Sequence, residues 1–165
     1  IVEADETYVG GKRRGTRGRG AKGKTAVFGV AQRQGEVRCQ PVQNVKSKTI
    51  VPLIRENIDI TSTVMTDEFK SYDPLARNGF THKTVKHGQR QYVDGDAHTN
   101  TIERFWSHFK RGISGIYLHV SKKHLDKYCK EYSFRFNSRE VSDYERFSTW
   151  FGRSSGRLTY DSLTA

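Results

Sequence analysis

Residues 49–67 read Thr49-Ile50-Val51-Pro52-Leu53-Ile54-Arg55-Glu56-Asn57-Ile58-Asp59-Ile60-Thr61-Ser62-Thr63-Val64-Met65-Thr66-Asp67. Ile50, Leu53, Ile54 and Ile58 recur at i, i+3, i+4 and i+8, which predicts a helix over about 49–58 with one apolar face. Pro52 is tolerable there if Ser47 or Thr49 caps the helix, because the first-turn N–H groups have no intrahelical partner. Thr63 to Asp67 then reads as a short buried strand. Upstream, strands are expected over 1–9, 25–33 and 36–44, with a turn at Gln34-Gly35, so the first three form an antiparallel meander. The helix between the third and fourth strands lets the fourth lie parallel to the first.

Downstream, a short helix is expected over Tyr72 to Arg77, a strand near 81–86 and a polar loop over 87–96. A helix over 100–112 follows, then a loop through Gly112 and Gly115. A further helix over 122–137 places Leu125, Tyr128, Cys129, Tyr132 and Phe136 on one face. The tail from 140 carries Tyr144, Phe147, Trp150 and Phe151, suited to a last helix or to docking on a partner. The order βββαβ(α)βαα is mixed α/β, and 165 residues suffice for one domain with a real core.

Lys plus Arg is 29 against 18 for Asp plus Glu, a formal charge of +11. That balance favours a polyanionic partner, DNA or RNA first. No apolar run approaches the roughly 20 residues of a spanning helix, and no signal peptide is evident, so a cytoplasmic, nucleoid-associated protein without a membrane partner is expected. Cys39 and Cys129 belong to no C-x-x-C pair and read as reduced structural thiols. The six histidines form no ligand pattern; His98 reads as a polar-loop or helix-start residue.

Three acids stand at the ends of expected buried elements: Asp5 in the opening strand, Asp67 ending the fourth strand, and Glu103 in the first turn of the 100–112 helix. Neighbouring first and fourth strands would set Asp5 beside Asp67. Two unshielded carboxylates so close repel, and one must take a proton unless a cation intervenes. Hard oxygen ligands suit Mg²⁺, or Mn²⁺ in its place, and two such ions about 3.5–4 Å apart can clamp both oxygens of a phosphodiester. Each acid also has a plain reading. Asp5 competes with Glu3 and Glu6, Asp67 can open the turn Asp67-Glu68-Phe69-Lys70, and Asn100-x-x-Glu103 resembles a capping box.

Lys110 lies seven residues after Glu103, nearly on one line of the helix, where a cation can hold a phosphate. Residues 10–24 contain Lys12, Arg13, Arg14, Arg17, Arg19, Lys22 and Lys24 among six glycines and no acid. Such a segment builds no core and can follow a phosphate track, or it serves as a solvated hairpin loop.

The segments Asp5-Glu6-Thr7-Tyr8-Val9-Gly10-Gly11-Lys12, Asp67-Glu68-Phe69-Lys70-Ser71-Tyr72, His98-Thr99-Asn100-Thr101-Ile102-Glu103-Arg104-Phe105-Trp106-Ser107 and Phe134-Arg135-Phe136-Asn137-Ser138-Arg139 resemble the DDE transposases of a group of bacterial insertion sequences. The resemblance implies an RNase H-like, retroviral integrase-like fold: a five-stranded mixed sheet with helices on both faces. It implies Asp5, Asp67 and Glu103 as ligands of two ions, Lys110 as the trailing basic residue, and Asn100 as a supporting ligand. Lys110, Arg111 and the basic segment would hold DNA. The domain would span 1–140, with 141–165 as an aromatic extension. Relatives usually carry an N-terminal zinc-ribbon or helical DNA-binding segment, whereas this chain opens on the first strand, as an excised catalytic domain would. Its partners would be transposon ends and target DNA, within a homodimer or larger synaptic assembly. The expected reaction is strand cleavage followed by 3′-OH strand transfer. The alternatives are an RNase H-like nuclease without strand transfer, or an inactive DNA-binding derivative.

Overall fold

The computed structural model describes residues 1–10, 23–85 and 98–152, together with Gly156 and Thr159. Five strands form one sheet: β1 (Val2–Val9), β2 (Thr25–Gln32), β3 (Val37–Val42), β4 (Thr63–Thr66) and β5 (Thr81–Thr84), in the spatial order β3-β2-β1-β4-β5. The meander is antiparallel, with Gln34 at φ 59° in its second turn. β4 runs parallel to β1, with Glu3 opposite Met65, and β5 runs parallel to β4. The helix α1 (Ser47–Asn57) makes the crossover that allows this. A 3₁₀ turn at Lys70–Tyr72 and the short α2 (Pro74–Arg77) join β4 to β5, and the expected polar loop over 87–96 lies outside the described residues.

The sheet is covered on both faces. Ala4, Phe28, Val30 and Val64 pack against Ile50 and Ile54 of α1 and against Tyr72 and Leu75. On the other face Val27, Ala31 and Val37 pack against α3 (Asn100–Gly115) and α4 (Leu125–Asn137), through Ile102, Phe105, Phe109, Leu125 and Cys129. The period of two along β1 sends its acids to different faces. Glu3 and Asp5 bond to α3, whereas Glu6 accepts a hydrogen bond from Tyr72 on the opposite face, at 2.8 Å.

Several local expectations are corrected. The N-cap of α1 is Lys46, without a side-chain cap bond, and Thr49 instead donates to Asn44 at 2.8 Å. The helix therefore starts before Thr49, and Pro52 lies inside it on the exposed side. α3 does not stop at Gly112 but runs on to Gly115. Gly112 is buried, and a Cβ there would overlap the Tyr132 ring, so this glycine permits close approach of α4 to α3. At the sheet edge, the Asn137 amide bonds both backbone groups of Val37, at 2.7 and 3.0 Å, and fastens the end of α4 to β3. The tail forms α5 (Asp143–Gly152), and its four aromatic residues are exposed.

Candidate active site at the junction of β1, β4 and α3

Glu3 is wholly buried, yet its carboxylate is fully engaged. It accepts the backbone N–H groups of Thr101 and Ile102 at 2.7 and 3.0 Å, the Thr101 hydroxyl at 3.1 Å, and Arg33 Nε at 3.0 Å. The first N–H groups of a helix have no partner inside it, and an anion there also meets the positive end of the helix dipole. Glu3 thus caps α3 from a neighbouring strand. Arg33 reaches on to the His98 carbonyl at 2.8 Å and ties the approach to α3 into the same network. The N-cap is Thr99 and not Asn100; Thr99 makes no side-chain cap bond and donates its hydroxyl to Glu103 at 2.7 Å.

Two residues along β1 on the same face, Asp5 accepts a hydrogen bond from the Trp106 indole N–H at 3.1 Å through Oδ2. Trp106 reaches it across β2 because Gly29, the partner of Asp5 in the strand pair, has no side chain. A Cβ at Gly29 would lie 2.7 Å from the Trp106 ring. Carried on by two residues, the β1–β4 register sets Asp5 level with Asp67. Asp67 Oδ1 accepts the Phe69 N–H at 3.0 Å, so Asp67 also opens the turn its sequence suggested. Glu103 is exposed on the first turn of α3.

Burial first, then the charge of Glu6, raises the Asp5 carboxyl to about 7; Asp67 and Glu103 push the same way, against a hydrogen bond from the Glu6 backbone. Asp67 and Glu103 therefore each lie within electrostatic reach of Asp5. Among the described residues no three His, Cys, Asp or Glu side chains stand close enough to hold one ion as they are placed. The donor chemistry nonetheless suits a hard divalent cation: oxygen ligands only, with Asp67 and Glu103 repelling the charge of Asp5.

Asn100 is exposed at the first position of α3. Lys110 lines a small cavity with Tyr8, Val9 and Gly10, at the end of β1 from which the basic segment departs. Arg111 is exposed and bonds Ser107 on its own helix at 3.3 Å. Lys24 is exposed, with its Cα close against Gly10 (φ 154°), where a side chain would strike backbone. Lys12, Arg13, Arg14, Arg17, Arg19 and Lys22 lie outside the described residues. The residues missed by sequence reasoning are Trp106 and Gly29, together with Glu3, which entered only as a rival to Asp5.

The family model of the ISXO2-like transposase domain matches residues 1–137. The chain belongs to that family. It is 37% identical over 100 residues to an uncharacterized transposase-like protein of Haemophilus influenzae, covering 61% of this chain and 80% of that protein. It is 36% identical over 157 residues to an uncharacterized protein in transposable element ISH50 of Halobacterium salinarum, covering 85% of this chain and 52% of the relative. The chain thus spans about half of that second protein. Among solved structures, the catalytic core domain of BIV integrase superposes with a TM-score of 0.57 at 11% identity, over 92% of this chain and 96% of that one. The fold is RNase H-like, and the family gives the ISXO2-like domain a transposase-type role. No helix among the described residues is long and apolar enough to cross a membrane.

The two acids on one face of β1 should respond oppositely to amidation. Glu3→Gln places an amide N–H₂ against donors it cannot satisfy and should cost about 2–4 kcal/mol, read from urea midpoints. A loss under ~0.5 kcal/mol would contradict the cap. Asp5→Asn keeps the acceptor for Trp106 and removes the repelled charge. The folded state holds the Asp5 proton more tightly than the unfolded chain, so wild-type stability falls as pH rises from 3.8 to about 7. In chelator, Asp5→Asn should therefore melt above wild type at pH ~8 and match it near pH ~4. A lower melting temperature at the higher pH would contradict this electrostatic reading.

Proposed function

We propose that this domain cleaves DNA at the ends of an insertion element and joins the freed 3′-hydroxyl to target DNA, with Asp5, Asp67 and Glu103 as the ligands of two divalent ions. The observation that carries the reading is the meeting of β1, the end of β4 and the start of α3, which brings Asp67 and Glu103 within reach of the charge of Asp5. The integrase-like fold and the family are consistent with it.

Mg²⁺, or Mn²⁺ in its place, would supply Lewis-acid stabilisation of the attacking and leaving oxygens of an in-line displacement. The chain's own residues supply position. Trp106 fixes Oδ2 of Asp5, and the turn at Phe69 fixes Oδ1 of Asp67, so two of the ligands sit on backbone that is already rigid. Glu103 and Asn100 come from the helix start that Glu3 anchors. Lys110 holds a phosphate beyond the acids as a flexible point charge, and Arg111, Lys24 and the rest of the basic segment hold flanking DNA without reading bases. Water displaces at the element end and leaves a 3′-hydroxyl, which then displaces at a target phosphodiester with loss of the target's own 3′-oxygen. Handling two ends together calls for two or more copies on the DNA.

The test is labelled element-end DNA with Mg²⁺ or Mn²⁺, scored for 3′-end cleavage and for joined products. Asp5→Ala, Asp67→Ala and Glu103→Ala should each abolish both while leaving the domain folded; full cleavage by any of the three would remove that residue from the site. Cleavage by wild type without a joined product would leave a nuclease.

The phosphate-holding residues are separable from the acids. Lys110→Ala should weaken end binding and slow joining, leave Mn²⁺ affinity almost intact, and be partly rescued by Lys110→Arg. Neutralising four charges between Lys12 and Lys24 should flatten the slope of log affinity against log salt by roughly 3–4. Wild-type joining by Lys110→Ala, or an unchanged slope, would make these side chains merely solvating.

A further inference from the structure

Residues 116–120 leave α3 as a short loop pinned from beneath. Tyr117 packs edge to face on Tyr128 at 4.6 Å and donates its hydroxyl to Glu131 at 3.0 Å, and Val120 is buried. The outer side chains, Ile116 and Leu118, are 68% and 81% exposed. Leu118 has φ 59° and stands at the apex of a three-residue turn, closed by the His119 N–H on the Tyr117 carbonyl. That left-handed backbone is costly for a bulky side chain and free for glycine. The end of α3 does not demand it, because the Ile116 and Tyr117 N–H groups already meet the Gly112 carbonyl, at 2.9 and 3.4 Å. What the strain achieves is an aliphatic side chain held out in solvent on a fixed loop. The surroundings are basic: residues 110–125 include Lys110, Arg111, Lys122 and Lys123 and no acid. Lys110, Leu118 and His119 line one cavity with Gly10, and Lys122 is exposed at the start of the 3₁₀ turn Lys122–His124.

We infer that Leu118, with Ile116 beside it, is a wedge that enters the minor groove of duplex DNA and unstacks a base step, while Lys110 and Lys122 hold phosphates on either side. The inference deepens the DNA-holding part of the proposed function and rests on that part alone. Three features select a duplex. Aliphatic side chains have no π face on which a free base stacks, yet they are what minor-groove proteins insert between base pairs. A wedge has to be rigid against the push of the stack, and this loop is fastened at Tyr117 and Val120. Cations without acids suit a phosphate backbone running past both sides of the tip. A second copy of the chain would instead bring a charge of +11 to this basic rim, where like charge opposes contact. Backbone strain kept at an exposed apex is then explained by what the side chain does there.

The test is run in chelator, so that it does not depend on metal at Asp5, Asp67 and Glu103. The probe is a short alternating T–A duplex with 2-aminopurine in place of some adenines and a donor–acceptor dye pair on its ends. Wild type at saturation should raise the 2-aminopurine fluorescence and shorten the end-to-end distance, because pyrimidine–purine steps unstack readily, and should do neither on a stiff A-tract duplex of equal length. Leu118→Gly removes the wedge and suits the left-handed turn; it should melt no lower than wild type yet reduce the fluorescence rise at least about fivefold. Leu118→Phe should keep most of the rise. Tyr144→Ser, at an 80% exposed side chain on α5, should leave it unchanged. No rise with wild type, a full rise with Leu118→Gly, an equal loss with Tyr144→Ser, a lower melting temperature for Leu118→Gly, or tighter binding of wild type to anionic vesicles than to the duplex would each overturn the inference. A full rise from a protein that neither cleaves nor joins element ends would support the wedge and count against the proposed reaction only.

Discussion

The Glu3 carboxylate joins three parts of the molecule that sequence separates. It sits on the central strand, caps the α3 N-terminus through two backbone N–H groups, and pairs with Arg33 just past β2. A buried carboxylate is costly unless its lone pairs are satisfied, and here four donors satisfy it. That demand sets both the position and the rotation of α3. With the helix start fixed over β1, Trp106 falls across Gly29 onto Asp5, and Glu103 comes to the edge of the same face. The acid site depends on an acid that is outside it.

The alternation of β1 does the rest. Glu3 and Asp5 share a face, yet one is saturated with donors and the other is crowded by like charge. Glu6 is turned to the opposite core, where Tyr72 receives it. Asp5 is raised by burial first and then by Glu6, and the charges of Asp67 and Glu103 add to it, a pattern of perturbation that clusters at functional sites. Metal binding would turn that repulsion into affinity.

Periodicity made much of this legible. The apolar face of Ile50, Leu53, Ile54 and Ile58 and the β-branched run before Asp67 are local signals, and together they imply the parallel β1–β4 pair. Asp67 and Glu103 were legible as element ends, whereas Asp5 stands mid-strand in β1 and was legible only through the motif around it. Glu3 was not, because its partners lie 98 and 99 residues away, and an acid flanked by apolar strand residues says nothing of where its donors come from. For the same reason Asn100-x-x-Glu103 suggested a local cap: the orphan N–H groups are real, but a strand supplies the acceptor. Gly112 suggested a helix end because its packing partner, Tyr132, belongs to another helix. The long basic segment was legible only as composition, and most of it lies outside the described residues.

The assembly of the site from β1, β4 and α3 is tested most directly by a crystal structure of the domain grown with Mn²⁺, with the ion located by its anomalous scattering. Mn²⁺ is expected between Asp5 and Asp67, with Glu103 turned toward it and the Trp106 bond to Asp5 intact. Mn²⁺ bound elsewhere, or none at these acids at saturating concentration, would contradict it.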